Sequence, residues 1–166
     1  MTPRTLILEA QRSTLLAVQS LARRLSRRKP KPAHLLLGER GEFEALFYLR
    51  RHGYLVIERR WRSPDHNGDL DLVAWDPTTA HSPTLCFIEV KTRGTRDLTP
   101  AASAVDDAKR RMLRKMARSF LRTLPRDDRE KTLLRFDVVS VYLSGSTPQC
   151  ELLRDAFPWR EAHFPA

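Results

Sequence analysis

Apolar residues recur every three or four positions in three stretches of the chain, and this spacing predicts three helices. The first covers residues 5–28 and ends before Pro30 and Pro32, because proline lacks an amide donor and restricts the residue that precedes it. The second covers residues 37–52, and the third covers residues 102–124. The first helix is amphipathic, although its leucines are imperfectly spaced, and it continues into a basic linker.

Short runs with strand character lie between the second and third helices and after the third. They cover residues 54–62, 69–75, 84–90, 135–143 and 150–153. The order of helix, three strands, helix and one or two strands predicts an α/β fold, with a mixed central sheet flanked by helices and an N-terminal basic helical extension. No run of eighteen apolar residues is present, so we expect neither a membrane-spanning helix nor a membrane partner.

Positive charge is concentrated at the start of the chain. The net charge is +10, and residues 1–33 hold eight Lys and Arg against one acid, so they contribute +7 of it. This difference predicts two parts, a basic helical arm with its linker over residues 1–33 and a nearly balanced domain over residues 34–166. The excess suggests an anionic partner, but a solvated, partly disordered tail has the same composition, and both interpretations of the arm stay open.

The cysteine and histidine residues argue against a zinc site. Cys86 and Cys150 are far apart and form no CxxC pair, and the five histidines form no HxxH or HxxxH pair. Unpaired cysteines are typical of a reducing compartment, and the first residues lack the pattern of a secretory signal. We therefore expect a cytoplasmic protein, although the Arg-rich, acid-poor start is also similar to an organellar transit peptide.

Charged residues interrupt the two most apolar strands. Strand alternation places Asp69 and Asp71 on one face of the first, and it places Glu89 and Lys91 on one face of the second. Carboxylates on neighbouring strands suit a hard divalent cation such as Mg²⁺, which can polarise a phosphoryl oxygen and lower the pKa of a bound water. A lysine on the same face can orient that water and stabilise charge in the transition state. These residues contain the parts for metal-assisted phosphodiester hydrolysis.

A further acid, Glu42, falls in the apolar stripe of the second helix and could approach the metal through a water molecule. The simpler interpretation is a surface residue that pairs with Arg40 or Arg50. For the strand residues, the simpler interpretation is a cross-strand ion pair on a solvent face, which contributes about 0–1 kcal/mol. Three acids and one lysine are more acid than such pairing requires, so we favour a functional site on the strands.

The third predicted helix is strongly basic, since residues 108–122 carry seven Lys and Arg and no acid. Like charges at i,i+4 positions repel one another, so this density favours a surface that contacts nucleic-acid phosphates over a plain solvated helix face. The predicted nucleic-acid contacts are Lys109, Arg110, Arg114 and, at the end of the neighbouring strand, Arg93.

Seven motifs give the chain a family resemblance. In order, within residues 38–157, they are "GERGEFEALFYLRRHGY", "RRWR", "GDLDLVA", "FIEVKTR", "AVDDAKRRML", "RFDVVSV" and "LLRDAF". Together they resemble the YraN-type family of unassigned bacterial proteins. The Asp followed by Glu-x-Lys resembles the PD-(D/E)xK nucleases of the restriction-endonuclease-like superfamily. The resemblance implies a restriction-endonuclease-like core, similar to that of archaeal Holliday-junction resolvases.

The resemblance also implies roles for individual residues. Asp71 and Glu89 would hold Mg²⁺ or Mn²⁺, helped by the Val90 carbonyl. Lys91 would be the lysine that positions the attacking water, and Glu42 would be the acid contributed by a helix.

One site position departs from the family pattern. Asp69 stands where the family usually has Glu, and because both are acidic a secondary metal role for Asp69 survives the difference. The loop before Leu85 and the N-terminal arm are also longer than expected, but neither changes the core site residues.

Two functions follow from these observations. The first is a metal-dependent endonuclease that acts on DNA, including branched or structured DNA in repair and recombination. The second is an accessory module that keeps the nuclease fold and binds nucleic acid with little or no activity, since fold does not fix function. The intact set of Asp71, Glu89 and Lys91 favours the first. The sequence does not separate DNA from RNA, and cleavage of a four-way junction would require a twofold homodimer.

Overall fold

The computed structural model describes residues 3–25, 32–76, 83–93, 105–144 and 147–159. Its elements are α1 (Pro3–Leu25), α2 (Ala33–Arg51), β1 (Leu55–Trp61), β2 (Leu70–Asp76), β3 (Thr84–Arg93), α3 (Asp107–Leu121), α4 (Arg126–Lys131), β4 (Leu133–Tyr142) and β5 (Gln149–Leu153). Each of the predicted helices and strands is present, with shifted ends.

The five strands form one sheet in the order in which they occur along the chain. Neighbouring strands are antiparallel except β3 and β4, which are parallel. Parallel neighbours need a long crossover connection, and the segment that holds α3 and α4 supplies it. The chain therefore has the mixed sheet flanked by helices that its sequence predicts, with the architecture of a restriction-endonuclease-like core.

Helices α2 and α3 cover opposite faces of the sheet, and strand alternation decides which residues each helix covers. Leu72 and Ile88 belong to the apolar core beneath α2, whereas Phe87 belongs to the core beneath α3. Leu72 pairs with Ile88 in the β2–β3 ladder. The residues one position beyond this pair, Asp71 and Glu89, therefore lie on the α3 face of the sheet.

Helix α2 lies close to the end of β3, and a glycine permits this approach. A Cβ atom on Gly41 would lie 1.8 Å from Oγ1 of Thr92, closer than any nonbonded contact allows. Glycine in a helix interior costs roughly 0.5–1 kcal/mol relative to alanine, so this glycine has a packing reason. The close approach brings the next residue of α2, Glu42, to the end of the sheet where β3 finishes.

Helix α3 begins later than its apolar spacing predicts, at Asp107. Asp106 caps its N-terminus, since Oδ1 accepts a 2.7 Å hydrogen bond from the backbone N–H of Lys109. The residue before the cap, Val105, is not helical, and the predicted start near Ala102 lies outside the described residues. The cap fixes Lys109 in the first turn of the helix.

The other helix ends also differ from the pattern. Helix α2 begins directly after Pro32, earlier than predicted, and the predicted end of the first helix at Arg28 lies outside the described residues. Helix α4 has no counterpart among the predicted elements, because none of its residues is buried and no apolar period marks it. Within the described ranges, no helix is both long enough and apolar enough to cross a membrane.

Helix α1 packs against α2 through charged side chains. Arg12 donates two hydrogen bonds to Glu44, from Nε to Oε2 and from Nη2 to Oε1, each 2.9 Å long. Arg51 forms a second ion pair with Glu9. Glu44 is 3% exposed, so Arg12 neutralises an acid that is buried. The division of the chain into an arm and a domain stays a prediction.

A buried ion network lies on the α2 face at the end of the sheet where β2 finishes and β4 begins. Arg135 donates to Asp76, from Nη2 to Oδ2 at 2.7 Å, and to both oxygens of Asp137, at 2.7 and 2.9 Å. Both aspartates are fully buried. The same guanidinium donates to the hydroxyl of Tyr54, at 3.1 Å, so one cation joins β2, β4 and the turn before β1.

Candidate functional site

The β2–β3 ladder ends at a carboxylate. Its last pair is Leu72 with Ile88, and beyond it the backbone N–H of Val90 donates a 2.8 Å hydrogen bond to Oδ2 of Asp71. A side chain that accepts a backbone N–H has a fixed orientation. The two strands therefore hold the Asp71 carboxylate in place on the α3 face, next to Glu89.

Glu89 is the central residue of the site and is 3% exposed. Its Oε1 atom lies 3.0 Å from the ammonium groups of both Lys91 and Lys109. Its Oε2 atom is buried and has no hydrogen-bond partner among the described residues. A buried acceptor without a partner costs about 1–3 kcal/mol, and more when it is charged, so this oxygen is available to a ligand.

Burial and a neighbouring negative charge both act on the Asp71 carboxylate. The pKa of Asp71 is raised to about 7, first by burial and second by the negative charge of Glu89. The hydrogen bond from Val90 opposes this rise. A carboxyl group beside a negative charge resists ionising unless a cation offsets that charge. A strongly shifted carboxyl beside a specific charged partner is a recognised sign of a functional site.

Lys109 belongs to this site, although it lies on a helix. Burial lowers its pKa, but the charge of Glu89 and the hydrogen bond to it raise the pKa by more, so the net shift is upward. Lys109 is therefore an ammonium cation at neutral pH and a hydrogen-bond donor, not a base. The capped first turn of α3 is what aims it at β3. Its contact with nucleic acid stays a prediction.

Glu42 and Asp69 flank the carboxylate pair on the side of β1. Glu42 is half-buried, and its Oε2 atom lies 3.5 Å from Nε of Arg60. Burial raises the pKa of Glu42, Arg60 opposes the rise, and the charge of Asp69 adds to it. Glu42 in turn contributes to the raised pKa of Asp71. These acids therefore share one electrostatic environment.

The donor set suits a hard cation that keeps part of its water shell. Among the described residues, no three Asp, Glu, His or Cys side chains come together as a complete metal cage. Mg²⁺ does not need one, because one or two carboxylates usually bind it together with waters and substrate phosphates. The Asp71 carboxylate fits this requirement, and so does the Oε2 of Glu89, which has no partner within the described ranges. Asp69 and the Val90 carbonyl remain predicted ligands.

The three arginines predicted to contact nucleic acid have different surroundings. Arg114 is 7% exposed and donates from Nε and Nη2 to the carbonyl oxygen of Pro158, at 3.2 and 3.0 Å. The Arg110 guanidinium lies 5.7 Å from the centre of the Phe157 ring and is partly exposed. Arg93 is also partly exposed, at the end of β3. In this structure Arg114 anchors the C-terminal segment, so Arg93 and Arg110 are the better placed for a phosphate.

Ser140 lies beside the site and has no signal in the sequence. It pairs with Lys91 in the parallel β3–β4 ladder, so both side chains are on the α3 face. Its hydroxyl is fully buried and has no hydrogen-bond partner in the part of the chain that the structure describes. Only the register between the two strands identifies this residue, because a serine within an apolar strand is common.

Comparison with known proteins identifies a family. The sequence model described as "Uncharacterised protein family UPF0102" matches residues 41–141, which include every residue of the site. A UPF0102 protein of Koribacter versatilis is 46% identical over 127 residues, which cover 76% of this chain and 82% of the relative. One of Solibacter usitatus is 43% identical over 136 residues, covering 82% and 94%. One of Geobacter metallireducens is 38% identical over 121 residues, covering 73% and 91%.

Proposed function

The chain belongs to the UPF0102 family, the YraN-type family that its motifs resemble, and we propose that it is a divalent-metal-dependent endonuclease that hydrolyses phosphodiester bonds in DNA. The family is uncharacterised, so the proposal rests on the site. The observation that carries it is the buried carboxylate pair Asp71 and Glu89, in which one Glu89 oxygen has two lysine partners and the other has none among the described residues.

A structural ion pair does not account for this arrangement. The Arg135 network shows what a structural cluster looks like in this protein, since one guanidinium reaches both buried aspartates through three short hydrogen bonds. In the site, both nearby cations lie on the same oxygen of Glu89, while the second oxygen is buried without a hydrogen-bond partner among the described residues. That oxygen, together with the nearby Asp71 carboxylate whose pKa burial and the charge of Glu89 raise, would accommodate a further positive charge.

The residues of the site can perform hydrolysis with a bound metal. A divalent cation there would polarise the scissile phosphoryl group and lower the pKa of a water molecule. Asp71 and Glu89 would hold the cation, and the Val90 N–H would keep Asp71 oriented. Lys91 would position the attacking water, and Lys109 would donate to a phosphate oxygen. Both ammonium groups would lie where negative charge develops in the transition state.

Phosphate contacts outside the site would set affinity. Arg93 ends the strand that carries Glu89, and Arg110 follows Lys109 on α3, so both extend the positive surface from the site. Contacts of this kind make binding strongly dependent on salt and add no base specificity. DNA, including branched or structured DNA, is the proposed substrate, and cleavage of a four-way junction would require two copies of the chain.

A second function has one observation in its favour. The described residues supply no third metal-ligating side chain, and Glu42 is paired with Arg60. An accessory module that binds nucleic acid and has lost efficient catalysis would have such a site. This alternative predicts the same salt-sensitive binding without cleavage.

A cleavage assay separates the two functions. Plasmid, single-stranded, flapped and four-way-junction DNA would be incubated with Mg²⁺ or Mn²⁺ and the full-length protein. Asp71→Asn and Lys91→Ala are expected to lower the cleavage rate at least 100-fold. The matched controls are Asp127→Asn and Lys131→Ala, both exposed on α4, which are expected to cleave like the wild type. Equal binding by all five proteins without cleavage by any would reject the endonuclease and support the accessory module.

A further inference from the structure

A polar cleft opens beside the carboxylate site. It has a volume of about 310 Å³ and is lined by Arg62, Ser63, His66, Asn67, Gly68 and Asp69. We call it the 62–69 cleft. Its last residue, Asp69, directly precedes β2 and is two positions before Asp71. A volume near the lower end of the roughly 300–1,000 Å³ of ligand pockets suits one nucleotide and not a longer segment.

The loop that forms the cleft is fixed against α3. The hydroxyl groups of Ser63 and Ser119 are joined by a 2.8 Å hydrogen bond between two buried residues, and the backbone N–H of Asp65 donates to the Ser63 hydroxyl at 3.1 Å. Gly68 has φ +121°, and a Cβ atom there would lie 2.6 Å from Sδ of Met112. Only glycine is suited to this position. The cleft is therefore formed before any ligand binds.

The exposed side chains of the cleft have the chemistry that recognises an unpaired base. Arg62, His66 and Asn67 are all exposed. Proteins hold splayed-out bases by stacking them on imidazole rings or guanidinium planes, and they read the free base edge with hydrogen-bonding groups. The Asn67 amide offers both a donor and an acceptor, and Arg62 adds a positive charge for the phosphate. A base inside a duplex is stacked on both faces and paired along its edge, so it cannot use these groups.

The cleft and the carboxylate site are electrostatically continuous. The negative charge of Asp69, in the wall of the cleft, acts on both Glu42 and Lys109. A nucleotide held in the cleft would therefore lie next to the carboxylate site. This proximity follows from the chain itself, because only Leu70 separates the cleft from Asp71.

We propose that the 62–69 cleft binds one unpaired nucleotide next to the phosphate that is cleaved, so that the substrate class is DNA with a frayed, flapped or single-stranded segment. This inference rests on the proposed function for the position of the scissile phosphate. The nucleotide-binding part of it stands on the cleft alone and can be measured without cleavage.

The first test is a titration of ¹⁵N-labelled full-length protein in EDTA with thymidine 5′-monophosphate or with inorganic phosphate. The nucleotide is expected to shift the Asn67 and Gly68 amide signals in a saturable way, with a Kd at least fivefold lower than that of phosphate. Arg62→Gln and Asn67→Ala are expected to weaken nucleotide binding at least fivefold. Arg126→Gln, exposed on α4, is the matched control and should leave it unchanged. Equal Kd values for the two probes, or no effect of Asn67→Ala, would overturn the proposal.

The second test ties the cleft to cleavage and separates the two proposals. With a flapped and a fully paired substrate of the same sequence, Asn67→Ala is expected to lower kcat/KM for the flap at least tenfold and to leave salt-dependent duplex binding unchanged. If the wild type cleaves both substrates equally and Asn67→Ala changes neither rate, the cleft proposal fails while the endonuclease stands. If the nucleotide binds as expected but no substrate is cleaved, the endonuclease fails while the cleft remains a nucleotide site.

Discussion

Lys91 on strand β3 and Lys109 on helix α3 contact the same atom, Oε1 of Glu89, each at 3.0 Å. One lysine comes from the strand that carries the glutamate, and the other comes from the crossover helix above it. A single ammonium group is enough to pair with a buried carboxylate, so the second one exceeds what stability requires. Each lysine can therefore partly replace the other as the cationic partner of Glu89.

This redundancy predicts a non-additive effect on stability. We expect Lys91→Met or Lys109→Met alone to lower the free energy of unfolding by roughly 1–2 kcal/mol, because Glu89 keeps one partner. The double change should cost about 3–5 kcal/mol in total, more than the sum of the single losses, since it leaves a buried carboxylate without a cation. Urea denaturation at pH 8 in EDTA measures both, with Lys131→Met as the exposed control. Additive losses would show that neither lysine replaces the other in neutralising Glu89.

Metal binding should stabilise the folded protein through Asp71. We expect millimolar Mg²⁺ or Mn²⁺ to raise the Tm of the wild type, because a ligand that binds the folded state adds stability of about 2.7 kcal/mol at 100 times its Kd. Asp71→Asn should remove this rise while keeping the hydrogen bond from Val90, since the amide oxygen still accepts it. Thermal unfolding with and without metal provides the measurement.

The control for the metal effect is Asp127→Asn, which removes one negative charge from an exposed residue of α4. It should show the full metal-induced rise. A wild-type Tm that is indifferent to millimolar metal, or an equal rise in Asp71→Asn, would argue that the carboxylate pair does not bind the cation.

The pKa of Asp71 has a consequence for the metal-free protein. Burial and the charge of Glu89 raise it from 3.8 to about 7 in the folded state. Between these values the folded protein keeps a proton that the unfolded chain has released, so stability falls as pH rises through this window. We expect the Tm in EDTA to decline from about pH 5 to pH 8. The corresponding loss in the free energy of unfolding is on the order of a few kcal/mol.

Asp71→Asn is the matched variant for this pH dependence, because it has no proton to lose. The difference in Tm between wild type and Asp71→Asn should therefore grow in favour of the variant as pH rises towards 8. Parallel profiles of Tm against pH for the two proteins would mean that ionisation of Asp71 does not lower the stability of the folded protein.

The Arg135 network should matter for stability alone. We expect Arg135→Met to lower the free energy of unfolding by about 3–5 kcal/mol, because it removes the guanidinium that bonds both buried aspartates, and Arg154 lies 4.0 Å from Asp76. Chemical denaturation measures the loss, and Arg126→Met on α4 is the exposed control. In the folded fraction, the metal-induced rise in Tm should persist, since the network lies on the opposite face of the sheet from the site. Loss of the metal-induced rise in Tm would contradict the independence of the Arg135 network from the site.

The pair of Arg12 and Glu44 tests whether α1 is part of the folded unit. Arg12→Met should destabilise the protein by about 2–4 kcal/mol, because Glu44 stays buried without its bidentate partner. Adding Glu44→Gln should recover most of the loss, since an uncharged amide tolerates burial better. A double-mutant cycle by urea denaturation measures the coupling. Coupling near zero would mean that α1 is not held on α2 in solution.

The strands and the faces of their side chains could be predicted from the sequence, because the alternation of side chains is a local property. The pattern places Asp71 on one face of its strand and Glu89 with Lys91 on one face of theirs, and the structure has them on the same side of the sheet. Asp71 and Glu89 stay on the α3 face because the neighbouring positions, Leu72 and Ile88, are buried beneath α2.

Contacts between distant segments could not be predicted in this way, because no local pattern encodes them. Glu42 pairs with Arg60 of β1 rather than with Arg40 or Arg50 of its own helix, because the close packing at Gly41 turns that part of α2 towards the sheet. Similarly, Lys109 reads as one basic residue among seven until its cap and the crossover place it on Glu89.

The parallel pairing of β3 with β4 has a consequence for when the site exists. Strand β4 can lie beside β3 only after α3 has crossed the sheet, and contacts between such distant segments form slowly. A nascent chain that has released only β1 to β3 from the ribosome has both acids, but neither Lys109 nor the cover that buries Glu89. The order of synthesis therefore delays the complete site until the chain has folded almost completely, and an unfinished polypeptide lacks part of its charged residues.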